Sequence, residues 1–275
     1  MIVIKPLVSV IIGAYNAEAV PTFAASMQSI ISQSLKELEI IICDDGSKDK
    51  TYDLLLEYAS KDDRIKLLHN EINKGLGYTL NKCLAVSRGK YIARHDIDDI
   101  SDTRRLEIEV NFLEKNKDIS FVGSNVLLFD ENGVYAERKL PEYVRREDFL
   151  FNSPFIHGSL LLKRNCLLDV GGYRNVWWTL RNEDYDLWMR LYAKDYKGYN
   201  IQKSLYRFLE DKNAAKRRKY RYRINECIVR INGFRNLKML WKNLHYVIKP
   251  LIVGLLPIGL IRYLQHMRER YVIHE

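Results

Sequence analysis

Along the first hundred residues, solid apolar runs alternate with stretches whose apolar positions recur every three or four residues. LVSVIIGAY, ELEIIICDD, RIKLLH and KYIARHD read as strands. Between them, roughly 19–34, 49–59 and 75–87 read as helices. The strands do not alternate apolar with polar, which predicts a parallel sheet covered by helices on both faces. Right-handed crossovers follow, and such open sheets bind ligands beyond the carboxyl ends of their strands. Further on, the pattern predicts a helix over 102–116 capped by Ser101 or Asp102, and a strand ISFVGSNVLLF. After a turn at DENG (130–133) come a helix near 143–151, a strand IHGSLLL, a short helix and GGYR at 171–174. RNEDYDLWMRLYAK closes the series as a helix with Leu187, Trp188, Leu191 and Tyr192 on its apolar side. There is no internal repeat. The expected fold is α/β, a mostly parallel sheet with helices on both faces over 1–210, followed by a basic and apolar helical tail over 211–275.

Composition sharpens this picture. At 275 residues, 47% of them hydrophobic, the chain can build a large core and is not a disordered one. Its four cysteines are far apart and lack C-x-x-C spacing, which argues against a zinc site or a disulfide framework and for a reducing compartment. MIVIKPLVSVII has no basic leader or cleavage site and reads as a strand, not a signal peptide. The net charge of +9 is uneven: 211–275 hold 15 Lys/Arg against 4 Asp/Glu, whereas 1–210 hold 29 against 31. The main domain therefore has no basic field for nucleic acid, and the tail suits an acidic surface.

The candidate chemistry stands at the strand ends. Ala14-Tyr15-Asn16 follows the first strand, Asp44-Asp45-Gly46-Ser47 the second, and Asp96-Ile97-Asp98-Asp99 the fourth. Any one of these reads equally well as a turn or a helix cap. Three on one edge of one sheet point to a site. The acids at 96, 98 and 99 repel one another, and a hard divalent cation would relieve that repulsion. Mg²⁺ or Mn²⁺ takes one or two carboxylates plus phosphate oxygens from a substrate. No G-x-x-x-x-G-K-[ST] loop occurs, and GAYNAE replaces the dinucleotide fingerprint G-x-G-x-x-G.

LVSVIIGAYNAE, IIICDDGSKDKT, NKGLGYTLNKCLAVSRGKYIARHDIDD, FIHGSLLLKR, GGYR and NEDYDLWMRL resemble, in order, the blocks of glycosyltransferase family 2. These are inverting enzymes of the GT-A fold that use nucleotide sugars, and the resemblance covers about 1–200. It implies a nucleotide-binding half over 1–100 and an acceptor half over 101–210. It places Tyr15 and Asn16 in the nucleotide pocket, Asp45 on the base (usually uracil N3–H), and Asn73, Lys74 and Gly75 beside the base. Asp96 and Asp98 become the Asp-x-Asp pair on ribose or metal, with Asp98 the direct ligand and Asp99 adjacent. Asp184 becomes the catalytic base. Many members carry Arg where this chain has Leu80, so contacts from that position are in doubt and Lys74 or Arg94 are the substitutes.

Inversion requires a carboxylate to take the acceptor hydroxyl proton. Asp184 is the first candidate, with Glu183 and Asp186 behind it. The alternative is that Asp184 merely answers a helix dipole. His157 reads either as a group approaching metal or acceptor or as a satisfied structural residue. Gly171 and Gly172 suggest a tight turn near the sugar. Of Trp177 and Trp178, one could stack on a sugar while at least one packs inside. In the tail, KNAAKRRKYRYR at 212–223 has seven basic residues, and Pro250 to Ile261 are twelve residues without charge, against the ~20 needed to span a bilayer. An interfacial segment is expected, flanked by Lys249, Arg262 and tyrosines. The alternative is packing on the catalytic domain or on a second copy, as in a homodimer. The whole reads as a metal-dependent inverting transferase with a UDP-sugar donor and a glycan or lipid-linked acceptor. It would serve surface-polysaccharide synthesis at the cytoplasmic face of a membrane. A membrane-docked scaffold with a degenerate domain and a sugar nucleotidyltransferase are the rivals.

Overall fold

The structure is a computed structural model and describes residues 5–210, 219–257, 259, 260 and 263. The first half follows the predicted alternation: β1 (Val8–Ala14), α1 (Phe23–Ile31), β2 (Leu38–Asp44), α2 (Thr51–Lys61), β3 (Ile65–His69), α3 (Leu76–Val86) and β4 (Tyr91–Arg94). β1 lies between β2 and β4, and β3 lies outside β2, all in parallel. Every residue of β2 and β4 is buried. Both sheet faces are covered, so neither strand needs a polar side.

The second half is more mixed than the apolar runs suggest. It comprises β5 (Ile100–Ser101), α4 (Arg105–Lys115), β6 (Phe121–Asp130), β7 (Gly133–Arg138), β8 (Leu161–Lys163), α5 (Arg164–Asp169), α6 (Glu183–Ala193) and β9 (Gly198–Leu209). The sheet runs β3-β2-β1-β4-β8-β6-β9-β5, with β7 paired to β6. β8 is antiparallel to both β4 and β6, and β5 is antiparallel to β9, whereas β6 and β9 are parallel. The DENG turn is the tip of the β6–β7 hairpin, where Asp130 accepts the Asn132 N–H at 2.8 Å. β7 and β9 were not expected, because lysines, arginines and glutamates interrupt their apolar positions. The expected helix at 143–151 is a 3-10 turn over Arg146–Leu150, and the expected strand at 156–162 divides into a 3-10 turn (His157–Ser159) and β8. Asp102 does not cap α4 but folds the preceding turn, accepting the Arg104 N–H at 2.8 Å.

Two apolar layers sandwich the sheet. One joins β1 and β2 to α1, α2 and α4 through Val10, Ile40, Met27, Leu55, Leu106 and Val110. The other joins the opposite faces of those strands to α3, α5 and α6 and centres on Trp188, which stacks on Phe121 at 5.7 Å. This second layer continues past residue 210. α7 (Arg221–Asn236) and α8 (Leu244–Leu255) follow, and Cys227, Val229, Phe234 and Val247 belong to it. Gly233 passes so close to Met189 that a Cβ there would collide with its sulfur. Arg230, fully buried, donates to the Leu150 carbonyl at 2.8 Å and the Phe151 carbonyl at 3.2 Å and lies over the Tyr185 ring. It thus satisfies the carbonyl of the buried Leu150 at the end of the 146–150 turn, while the Phe151 carbonyl also accepts Lys249 Nζ at 3.2 Å. All four cysteines are free and buried.

Candidate active site

The carboxyl ends of β1, β2 and β4 form one rim. Asn16 leaves β1 with φ +47° and ties the first two strand ends together. Its N–H donates to Ser47 Oγ at 2.9 Å, and its side-chain oxygen accepts the Lys48 N–H at 2.9 Å. Tyr15, beside it, is 47% exposed and presents its ring at the rim. Asp44 is fully buried and is held by Ser47 and by His69 Nδ1 at 2.9 Å. Asp45 is buried too, and its carboxylate organises the next loop. It accepts Asn70 Nδ2 at 2.9 Å, the Lys74 N–H at 2.9 Å and the Gly75 N–H at 2.8 Å. Gly46 sits at φ +70°, where a Cβ would meet the Ile72 backbone at 2.6 Å, so the loop closes only over glycine. Asn73 and Lys74 are exposed, with the Lys74 ammonium 4.8 Å from the Tyr78 ring centre. Leu80 is fully buried in the core, so its position points away from the rim and Arg there would have no route to a nucleotide.

Asp96, Asp98 and Asp99 are kept apart by different means. Arg94, fully buried at the end of β4, pairs with Asp96 and donates to the His95 carbonyl. Asp99 is buried; one oxygen accepts the Leu209 N–H at 2.8 Å and the other has no partner. Burial and the neighbouring Asp96 and Asp98 charges push its carboxyl well above the usual range. Asp98 is half-buried, and its carbonyl accepts the Thr22 hydroxyl at 2.7 Å. The Tyr206 hydroxyl from β9 accepts the Asp96 N–H at 3.1 Å. A Cβ on Gly158 would strike that hydroxyl and lie 3.0 Å from Asp96 Oδ2, which fixes glycine in the FIHGS segment. The Arg94 guanidinium offsets part of that crowding through its pair with Asp96. Among the described residues no group of three His, Cys, Asp or Glu side chains forms a metal cluster. Asp96 and Asp98 still offer the hard oxygen donors that Mg²⁺ or Mn²⁺ takes, with substrate phosphate needed to complete the shell.

The acceptor half brings its acids to the same place. Asp184 lies in the first turn of α6, and its carboxyl is raised by burial, with the Asp96 charge adding to the rise and the Arg94 charge opposing it. Asp184 and Asp96 are thus close enough to feel each other across the two halves. Glu183 is pushed up to about 7 by burial and by Asp184, and its Oε2 has no hydrogen-bond partner. It lines a small open cleft together with Gly75, Gly77, Arg174, Thr179 and Leu180, so the 73–75 loop and the start of α6 share one depression. Asp186 is paired to Arg174 at 3.0 Å and to Arg190 at 2.7 Å. His157 Nε2 meets the Tyr173 hydroxyl at 2.8 Å, and burial with the Arg94 charge holds the imidazole neutral. Gly172 is buried against Asn81, away from the cleft, and its carbonyl accepts Arg190 at 2.8 Å. Trp177 is 69% exposed, while Trp178 packs on the core beneath Arg174.

Sequence reasoning missed Tyr206, Tyr173 and Asn225. Tyr206 sits in β9, whose YNIQKSLYRFL spacing has a weak period of two that would have betrayed it. Tyr173 was hidden inside GGYR, read only for its glycines. Asn225, buried in α7, donates to the Trp177 carbonyl at 3.1 Å and so holds the tryptophan loop from beyond residue 210.

A family model described as Glycosyl transferase family 2 matches residues 9–175. The putative glycosyltransferase EpsE of Bacillus subtilis is 42% identical over 98% of this chain and 99% of its own. The UDP-Glc:alpha-D-GlcNAc-diphosphoundecaprenol beta-1,3-glucosyltransferase WfgD of Escherichia coli is 30% identical over 90% of this chain and 94% of its own. Among solved structures, S. aureus TarS 1-349 in complex with UDP-GlcNAc superimposes with a TM-score of 0.68 at 17% identity, covering 88% of this chain and 72% of that one.

Proposed function

The chain belongs to glycosyltransferase family 2, and on that premise we propose that it transfers a hexosyl group with inversion from a UDP-sugar to a hydroxyl of a lipid-linked glycan. In this reading it serves surface-polysaccharide synthesis as a cytoplasmic enzyme at the inner face of a membrane. The observation that carries it is the pair of raised acids, Glu183 and Asp184, set beside Asp96 and a cleft that reaches Gly75. A buried carboxyl with a raised pKa and no cation of its own suits proton abstraction. The donor choice draws on a relative whose name states a UDP-sugar, and the acceptor on the diphosphoundecaprenol in the same name.

The roles follow from position. Tyr15 stacks on the base. Asp45 offers its remaining lone pair to uracil N3–H while its other three acceptor sites hold the wall 73–75 in place. Asp96, oriented by Arg94, binds ribose, and with Asp98 it would hold a divalent cation whose charge stabilises the departing diphosphate. Trp177 stacks on the acceptor sugar. Asp184 takes the proton from the acceptor hydroxyl. That oxygen forms the new bond to the anomeric carbon from the face opposite the diphosphate. The bond from that carbon to the phosphate oxygen breaks, and UDP leaves with the electron pair. The Arg94 charge favours the Asp184 anion, while burial and the Asp96 charge oppose it.

UDP release from a panel of UDP-sugars, measured with Mn²⁺, with Mg²⁺ and with a chelator, tests the reading. Turnover that needs the cation and is lost with Asp98→Ala is expected. Turnover of wild type in chelator, unaffected by the substitution, would remove the cation from the proposal.

A further inference from the structure

α8 carries an apolar stripe that the fold does not cover. Leu244, Ile248, Ile252 and Leu255 recur at helical spacing and are 45%, 51%, 59% and 75% exposed. Trp241, one turn earlier, is 83% exposed. The helix is not simply misplaced, because its other side is seated: Val247 and Pro250 are buried and Leu251 packs on the core. A helix apolar on both sides, one already packed, presents the second to a partner. Lys238, Lys242 and Lys249 punctuate the same segment, in the region that holds 15 Lys/Arg against 4 Asp/Glu. No helix of the described residues is long and apolar enough to cross a membrane.

We propose that this face of α8 lies in the headgroup region of an anionic bilayer, parallel to its plane. Apolar burial and attraction to acidic headgroups act together there, as stable peripheral attachment requires. A symmetric contact between two copies would instead set one basic tail against another, which opposes it. The same packing gives the attachment a consequence for the site. α7 and α8 run antiparallel, with Arg230 bonded to the Tyr246 carbonyl at 3.4 Å and Gly254 packed on Tyr220 and Arg223. Asn225, within the same turns of α7, holds the loop that bears Trp177. The membrane seat and the acceptor loop are therefore parts of one packed block, and a lipid-linked acceptor reaches the cleft at the surface that carries its lipid. Only that last consequence rests on the transferase reading; the attachment itself stands without it.

The test is sedimentation of the full chain with phosphatidylglycerol/phosphatidylethanolamine vesicles and with phosphatidylcholine vesicles. The double variant Ile248→Asp/Ile252→Asp is compared with wild type, and both are assayed for UDP release without lipid. Wild type is expected to bind the anionic vesicles and to be released by salt. The double variant should bind about tenfold more weakly or less, since two of the four stripe side chains become charged. Its unchanged lipid-free UDP release would show that the fold is intact. Wild type that stays in solution, or a double variant that binds equally, overturns the proposal. So does a wild-type dimer that the double variant splits without any vesicle binding, which would assign the face to a second copy. Vesicle binding without UDP release from any donor would sink the transferase reading and leave this one standing.

Discussion

The acids at the two ends of the site are held in different ways. On the nucleotide side, Asp44, Asp45 and Asp96 are fastened to the protein's own donors: Ser47 and His69, three groups of the 70–75 loop, and Arg94. On the acceptor side, Glu183 and Asp184 are crowded at one helix start, raised, and not paired to any cation. A carboxylate fixed by donors has a set direction and a stable charge, which suits recognition of a fixed group. A carboxyl buried beside other acids holds a proton more tightly, which suits taking one away. In the proposed reading the same residue type serves binding in one half and proton transfer in the other because burial and neighbouring charge differ.

Three substitutions probe that contrast. Asp184→Asn should have the largest effect, lowering kcat by about a thousandfold while donor affinity by titration stays near wild type. If kcat changes by less than tenfold, the base lies elsewhere and Glu183 is next in line. Asp45→Asn should act differently, through the loop. Replacing a charged acceptor of three hydrogen bonds costs about 2 kcal/mol in thermal unfolding and raises the donor KM, with kcat little changed. A loss confined to kcat would place Asp45 in the chemistry and erase the distinction between the halves.

Glu183→Gln should be the mildest, a few-fold effect on rate, and it carries a sign in pH. The folded-state value of about 7 lies above that of the unfolded chain, so the folded state favours the protonated acid. Its contribution to stability is complete below the unfolded value and is lost as pH rises through about 7. The Gln variant should therefore melt like wild type at pH 4 and higher than wild type at pH 8. Activity should rise with pH in the wild type as the pair gives up protons, since only the anion of Asp184 accepts one. Glu183 should titrate at lower pH in Asp184→Asn, which removes the negative neighbour.

The parallel half was legible because buried strands such as ELEIIICDD have nothing polar to confuse their pattern, and the turn acids follow them directly. The antiparallel half was less so. β9 alternates burial with exposure and carries Lys203 and Arg207, and β7 is mostly solvent-facing, so neither shows an apolar run. Site residues at turns were visible as residue types, but their partners were not. Nothing in DDGS says that Asp45 would be occupied by backbone N–H groups thirty positions on, and nothing in NED says that Asp186 would be neutralised by Arg174 and Arg190. Arg94 could be seen beside the acids, yet only the fold shows that it is sealed from water.

Arg230 has a practical corollary. Cutting the chain after β9 to obtain a smaller catalytic fragment would take away the guanidinium that covers the Leu150 and Phe151 carbonyls and the Tyr185 ring, along with Gly233, which lies on Met189. The bared surface would be the back of α6, whose opening turn holds Asp184. Such a fragment would lack part of its own interior, and Asp184 would stand on a helix with one side open to water.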